Sequence, residues 1–182
     1  MPKSEVNISK FLSLVLRHKP EEIGLELDAA GWVDVEVLLE ACRTHNFELS
    51  RQQLESVVAN NSKQRFAFSA DGSRIRASQG HSVEVDLEYE PMNPPEILWH
   101  GTAEQYIDSI KVSGLVKGLR QHVHLTADAE VAMKVGQRHG RLVLLEVAAG
   151  KMARDGHLFY RSANGVWLAD SVPLLYLTFP VR

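Results

Sequence analysis

From Val6 to Leu16 the apolar residues Ile8, Phe11, Leu12 and Val15 recur at helical spacing, which predicts an amphipathic helix with one buried stripe. Lys10 and Arg17 are seven residues apart, so that helix places both on one face, with Leu14 near the same line. After Pro20 the stretch IGLELDAAGWVD alternates and turns at Ala-Gly. Asp34 is suited to cap a second helix through Cys42. Ser50 with Gln53 gives a capping-box pattern for a third helix, SRQQLESVVANN. RFAFSADGSRIRAS then reads as two short strands around Ala-Asp-Gly-Ser. Three helices followed by a hairpin predict a winged-helix-like lobe over residues 1–83.

The pattern breaks in EVDLEYEPMNPPE, with three prolines among acids, so residues 84–96 are expected to be a linker. Residues 97–182 mix short strands and helices. ILWHGT, HVHLT, RLVLLEVA, VWLAD and LLYLTF read as strands, and AEQYIDSIKVSG and ADAEVAMKVGQRHG as helices. The fold class expected is α+β.

Composition narrows the functional classes. Of 182 residues, 45% are hydrophobic and 24% charged, as in ordinary globular proteins. MPKSEVNIS shows no apolar signal region, and no apolar run is long enough to cross a membrane. The single cysteine, Cys42, excludes an internal disulfide and a thiolate metal cluster. It fits a buried thiol and a cytoplasmic setting. A net charge of −3 argues against non-specific wrapping of nucleic acid. However, Lys63, Arg65, Arg74 and Arg76 face only Asp71 in their stretch, so a polyanion would be gripped at a point.

Several chemistries are missing: the chain has no GxGxxG, Walker or GxSxG motif. His122 and His124 share a strand face, but no cysteine or spaced carboxylate pair completes a metal shell, and no metal is expected. In LSLVLRHKP, Arg17 and His18 either complement the negative end of a helix or stand over a site. LWHGT ends a strand in His100, Gly101 and Thr102, which suits either a ligand or a plain strand-to-helix turn. Arg76, Gln79, His81 and Ser82 in IRASQGHS are good phosphate or sugar contacts, with a solvated loop as the bland reading.

Taken in order, SKFLSLVLRHKP, SKQRFAFS, IRASQGHS, LWHGT, GLRQHVHLT, VGQRHG and NGVWL resemble the RNA 2′-phosphotransferase family across Ser9 to Leu168. The resemblance implies an enzyme that consumes NAD⁺ to remove an internal 2′-phosphate from RNA. It implies an ADP-ribosylated phosphate intermediate and release of 2′-OH RNA, nicotinamide and ADP-ribose 1″,2″-cyclic phosphate. It further implies that the winged-helix-like lobe holds the RNA phosphate and an ADP-ribosyltransferase-like lobe holds NAD⁺. Arg17, His18, Arg65 and Arg120 fall on the catalytic positions. His100, Gly101, Thr102, His124, Leu125, Thr126, Gly136, Arg138 and His139 are expected on the NAD⁺ side, and Lys10, Arg76, Gln79, His81 and Ser82 on the RNA side. Related transferases activate their acceptor with a glutamate, where this chain has Val166. A phosphate monoester, with its second pKa near about 6, is already a nucleophilic dianion and needs no such base. The partners expected are 2′-phosphorylated RNA and NAD⁺, with no membrane and no obligate protein partner. Two other readings remain open: an ADP-ribosyltransferase acting on nucleic-acid terminal phosphates or on protein, and a non-catalytic winged-helix RNA-binding module.

Overall fold

A computed structural model describes residues 4–180; the ends of the expected 1–83 and 97–182 segments lie outside the described residues. The chain divides into two compact units, Met1–Glu88 and Tyr89–Arg182.

In the first unit, Ser4 caps α1 (Glu5–Val15), which buries Ile8, Leu12 and Val15. Phe11 sits beside that stripe and stacks on Phe47 with centroids 3.6 Å apart. β1 (Val33–Asp34) leads into α2 (Val35–Thr44), where the Asp34 carboxylate accepts from the Glu36 and Val37 N–H groups. α3 (Arg51–Ala59) begins with the reciprocal Ser50–Gln53 capping box. β2 (Phe66–Phe68) and β3 (Arg74–Ala77) follow, and the sheet order β1-β3-β2 is antiparallel, with Ile75 opposite both Val33 and Phe68. The three helices and the sheet enclose one apolar cluster, Cys42 included.

The stretch IGLELDAAGWVD makes little strand. A 3₁₀ turn covers Pro20–Ile23, and Asp28 then takes the N–H groups of Ala30 and Trp32 at 3.0 and 2.8 Å. A side chain that captures local donors in this way competes with a ladder, and pairing begins only at Val33.

The segment 84–96 is bonded at both ends. Val85 and Leu87 are buried, and the Asp86 N–H donates to the Ala29 carbonyl in the first unit. In the second unit the Met92 N–H donates to the Phe159 carbonyl, and Glu96 makes a two-pronged pair with Arg154.

The second unit opens with β4 (Leu98–Ala103), a 3₁₀ turn and α4 (Ile107–Ser113). β5 (Leu115–Val116), β6 (Val123–Leu125), α5 (Ala129–Gly136) and β7 (Leu142–Val147) come next. They are followed by α6 (Ala149–Arg154), β8 (Phe159–Arg161), β9 (Trp167–Ala169), β10 (Ser171–Val172) and β11 (Leu177–Thr178). The antiparallel sheets run β11-β7-β4, β6-β9-β8 and β10-β5. Reciprocal backbone bonds between Trp99 and Thr126, 2.7 and 3.0 Å, tie the edge of β4 to the end of β6. The fold is α+β, and no helix among the described residues is long and apolar enough to cross a membrane.

Candidate functional site

Arg17 and His18 lie just beyond α1, not on it. The helix ends at the Leu16 C-cap because Pro20 keeps Lys19 out of helical geometry (φ −144°, ψ 62°). The N–H groups of His18 and Lys19 both close on the Leu14 carbonyl. Of the two residues expected to share a helix face, Lys10 lies on α1 and Arg17 in the turn that follows it.

That turn is pinned from two directions. The Ser82 and Val83 N–H groups donate to the Arg17 carbonyl, and Ser82 Oγ lies 2.9 Å from His18 Nδ1. The Arg17 guanidinium donates through Nη2 to the Arg65 carbonyl at 3.2 Å and lies 5.8 Å from the Phe66 ring centroid. Arg65 Nη1 donates to Asn61 Oδ1 at 3.3 Å. Four residues from three separate stretches of sequence, Arg17 with His18, Arg65 and Ser82, thus form one bonded group. Among the described residues neither Arg65 nor Arg76 is paired with a carboxylate. Arginines with planar, two-pronged donors suit a compact multivalent anion such as a phosphate monoester.

The other residues expected on the RNA side divide between surface and interior. Lys10 and Ser82 are exposed. Arg76 is half-buried, with its guanidinium 4.4 Å from the Trp32 ring centroid and donating to the Ala30 carbonyl at 3.3 Å. Arg74 lies 5.5 Å from the same ring, because alternate residues of β3 share a face. His81 is 1% exposed, with neither ring nitrogen hydrogen-bonded, and Gln79 Oε1 is also buried without a partner. His81 is therefore a wall behind the cationic turn and does not present its ring at the surface. Sequence reading missed Asn61, which orients Arg65, and Trp32, which carries Arg76; the latter was legible once β1 is aligned against β3.

Burial, helped by the nearby charges of Arg17, His18 and Arg76, pushes His81 down to about 4 from its ordinary 6.5. The unfolded chain takes up a proton below about pH 6.5 that the folded chain refuses until about pH 4. This contribution to stability is complete above pH 6.5 and is lost as pH falls through that window, to the extent of about 3 kcal/mol. Urea denaturation at pH 7.5 and at pH 4.5 should show the decline in the wild type and a smaller one in His81→Leu. Equal declines in both proteins would exclude His81 as the source.

In the second unit, three expected residues are linked in series. His100 Nδ1 lies 3.0 Å from the His124 carbonyl, and Arg120 Nη1 lies 3.2 Å from His124 Nδ1. A carbonyl only accepts, so Nδ1 of His100 carries the proton and Nε2 presents a lone pair. Burial lowers the His100 pKa, and the charges of Arg120 and His139 act in the same direction, so the ring is neutral at pH 7. The arginine in turn leaves His124 with its proton on Nε2. Arg120, Arg138 and His139 are exposed.

Four of the residues expected on the NAD⁺ side serve packing. Leu125 is a core side chain and Thr102 is buried. A Cβ on Gly101 would overlap the Ala132 carbonyl oxygen and lie 2.6 Å from its carbon; one on Gly136 would lie 2.9 Å from the Gly101 carbonyl carbon. These two glycines let α5 lie directly on β4. Thr126, through Oγ1, accepts the Asp128 N–H just before α5. Val166 sits in a tight turn, its N–H and carbonyl both bonded to Ser162.

Comparison with known proteins converges on one family. The family model described as RNA 2′-phosphotransferase, Tpt1 / KptA family, matches residues 3–171. The chain is 53% identical over 178 residues to a protein of Hahella chejuensis, covering 98% of this chain and 96% of that one. It is 54% identical over 173 residues to a protein of Trichormus variabilis, covering 95% of each. With a protein of Acaryochloris marina it shares 52% identity over 169 residues, 93% of each. Each of the three bears the name "Probable RNA 2′-phosphotransferase".

Proposed function

This chain belongs to the RNA 2′-phosphotransferase, Tpt1 / KptA family, and we propose that it transfers an internal 2′-phosphate from RNA to NAD⁺. The observation that carries the reading is the bonded group of Arg17, His18 and Arg65, cations gathered from the two ends of the first unit, in a chain of this family. The family accounts for RNA 2′-phosphotransferase activity. The use of NAD⁺ and the course of the reaction are our own reading.

NAD⁺ supplies an electrophilic anomeric carbon with nicotinamide as the leaving group. In the second unit His100 Nε2 is held as an acceptor for a ribose hydroxyl of such a molecule, and Arg120, beside His124, is the further cation for the transferred phosphate. The RNA phosphate, already a dianion, attacks that carbon without a general base, in keeping with an apolar residue at Val166. The ADP-ribosylated phosphate so formed is then attacked by the neighbouring ribose 2″-hydroxyl, which frees the RNA 2′-oxygen and leaves the cyclic phosphate product. The arginines hold the phosphoryl oxygens in both steps, and positioning with charge stabilisation supplies most of the rate.

One incubation with NAD⁺ and a 2′-phosphorylated oligonucleotide tests the proposal. Dephosphorylated RNA together with ADP-ribose 1″,2″-cyclic phosphate is the expected outcome. A stable ADP-ribosyl adduct would instead mark a transferase that stops after the first step, and binding without turnover an RNA-binding module.

His100→Ala should raise the KM for NAD⁺ roughly 10-fold, the loss of one buried hydrogen bond. Affinity for the 2′-phosphorylated oligonucleotide, measured directly by anisotropy, should stay within about 2-fold. A matching loss of RNA affinity would overturn the assignment of His100 to NAD⁺.

A further inference from the structure

A groove of about 490 Å³ opens on the first unit beside Arg65. α1 contributes Ser9, Lys10 and Ser13 to it, from the side of the helix opposite its core stripe of Ile8, Leu12 and Val15. Across the groove stand Asn60, Asn61 and Ser62, where α3 ends, above Val57. Its volume is that of a small-molecule site, and five of its ten lining residues, Ser9, Ser13, Asn60, Asn61 and Ser62, carry a hydroxyl or an amide.

The charges are arranged lengthwise. Lys10 and Arg65 are the cations; Glu5 is the only acid on the lining. Its Oε1 accepts from Ser56 Oγ at 2.6 Å and Asn60 Nδ2 at 3.1 Å, and these bonds hold the carboxyl below its ordinary pKa and therefore ionised. An anion is drawn to Arg65 and Lys10 and repelled by Glu5, whereas the N–H of a nucleobase is welcome there. Asn61, on the same lining, holds Arg65 in place: its Oδ1 is taken by Arg65 Nη1 and the Lys63 N–H. No aromatic side chain lines the groove, so recognition here runs through sugar hydroxyls and phosphodiester oxygens and not through stacking. The lining suits RNA, whose 2′-hydroxyls both donate and accept.

We infer that this groove holds the ribonucleotide flanking the 2′-phosphorylated residue, its phosphodiester toward Lys10 and Arg65 and its base toward Glu5. The inference rests on the proposed RNA 2′-phosphotransferase reading and extends it from the phosphate to the strand that carries it.

The test compares a 2′-phosphorylated trinucleotide with a nucleoside 2′,5′-bisphosphate, both with NAD⁺. Wild type should show a KM at least about 10-fold lower for the trinucleotide. Ser9→Phe and Ser62→Tyr, each filling the groove from an opposite wall, should remove that advantage and leave the KM for the bisphosphate within about 2-fold. Ser62 is exposed at a turn, so its variant serves if Ser9→Phe melts early. No preference in the wild type, no effect of either filling variant, or equal losses on both substrates would overturn the groove while leaving the phosphotransferase reading intact. Failure of the wild type to turn over either substrate would overturn both.

Discussion

Arg65→Ala is expected to lower kcat/KM on a 2′-phosphorylated oligonucleotide by about 10²–10³-fold, the usual consequence of losing one preorganised donor from a site of developing charge. Truncation leaves the backbone framework in place. The Arg65 carbonyl still accepts from Arg17 Nη2 and from the Ser78 N–H, and Phe66 next to it remains in the core. The loss should therefore be read from kinetics with the melting temperature nearly unchanged. Arg65→Lys should rescue poorly, because a point charge on a flexible stem does not reproduce a planar two-pronged contact. Asn61→Ala, which releases the orienting bond to Arg65 Nη1 along with the bond from the Lys63 N–H but keeps the guanidinium, should produce a smaller loss in the same direction. The two proposed steps divide the effect. Attack on the anomeric carbon needs an existing dianion to be aligned, whereas the second step moves a phosphoryl group between oxygens and needs its charge held throughout. At least one of Arg17→Ala, His18→Ala and Arg65→Ala should then accumulate the ADP-ribosylated RNA phosphate. A single-turnover time course with labelled 2′-phosphate resolves substrate, intermediate and product. If all three variants slow substrate loss and no intermediate appears, the division of roles is wrong.

The parts of the fold that the sequence made legible are those in which local chemistry and tertiary contacts agree. The stripe of α1, the Asp34 cap and the Ser50–Gln53 box each link residues no more than four positions from the next, and the structure keeps all three. Elements without a period were missed. α6 runs through Ala149, Gly150 and Lys151 with no amphipathic pattern, and β5 and β10 are two residues each, too short for alternation. LLYLTF reads as a strand throughout, but its first half is a 3₁₀ turn started by Pro173, with the Tyr176 hydroxyl reaching back to Asp155 at 2.8 Å, and only Leu177–Thr178 pairs as β11. The candidate site divides in the same way. Arg17, His18 and Arg65 could be named from ordered motifs, but their joining depends on Ser82 and on the Arg65 carbonyl, contacts spanning 64 and 48 residues. His81 looked like a loop residue offered to substrate, because its closeness to Gly31, whose Cβ position lies 3.5 Å from His81 Nε2, is not local.

Glycines were the most easily misread residues, and Gly101 carries the second large prediction. In LWHGT it resembles a place where backbone approaches a ligand. In the structure it is a paired residue of β4, opposite Leu144, and the backbone that approaches it is the Ala132 carbonyl of α5. No left-handed conformation is involved, so the whole constraint is space. Gly101→Ala must push α5 off the strand, and helix backbone yields far less readily than the end of a side chain. The expected loss is at least about 3 kcal/mol, beyond ordinary overpacking because no rotamer change relieves it. That corresponds to a fall in melting temperature of roughly 10 °C for a protein of this size. Gly118→Ala is the informative control. Gly118 has φ +59° and nothing within 4 Å of its Cβ position, so it carries conformational strain without a clash and should lose only about 1–2 kcal/mol. Because His100 is the neighbour of Gly101 on β4, Gly101→Ala should also weaken NAD⁺ use more than RNA binding. Gly136→Ala meets the same backbone from the other side, at the Gly101 carbonyl carbon and the Thr102 nitrogen. Once the helix has moved to admit one methyl, the second costs less, so the double variant should lose clearly less than the sum of the two single losses. Melting of Gly101→Ala within about 2 °C of wild type, or strict additivity in the double variant, would mean that α5 does not rest on β4 as described.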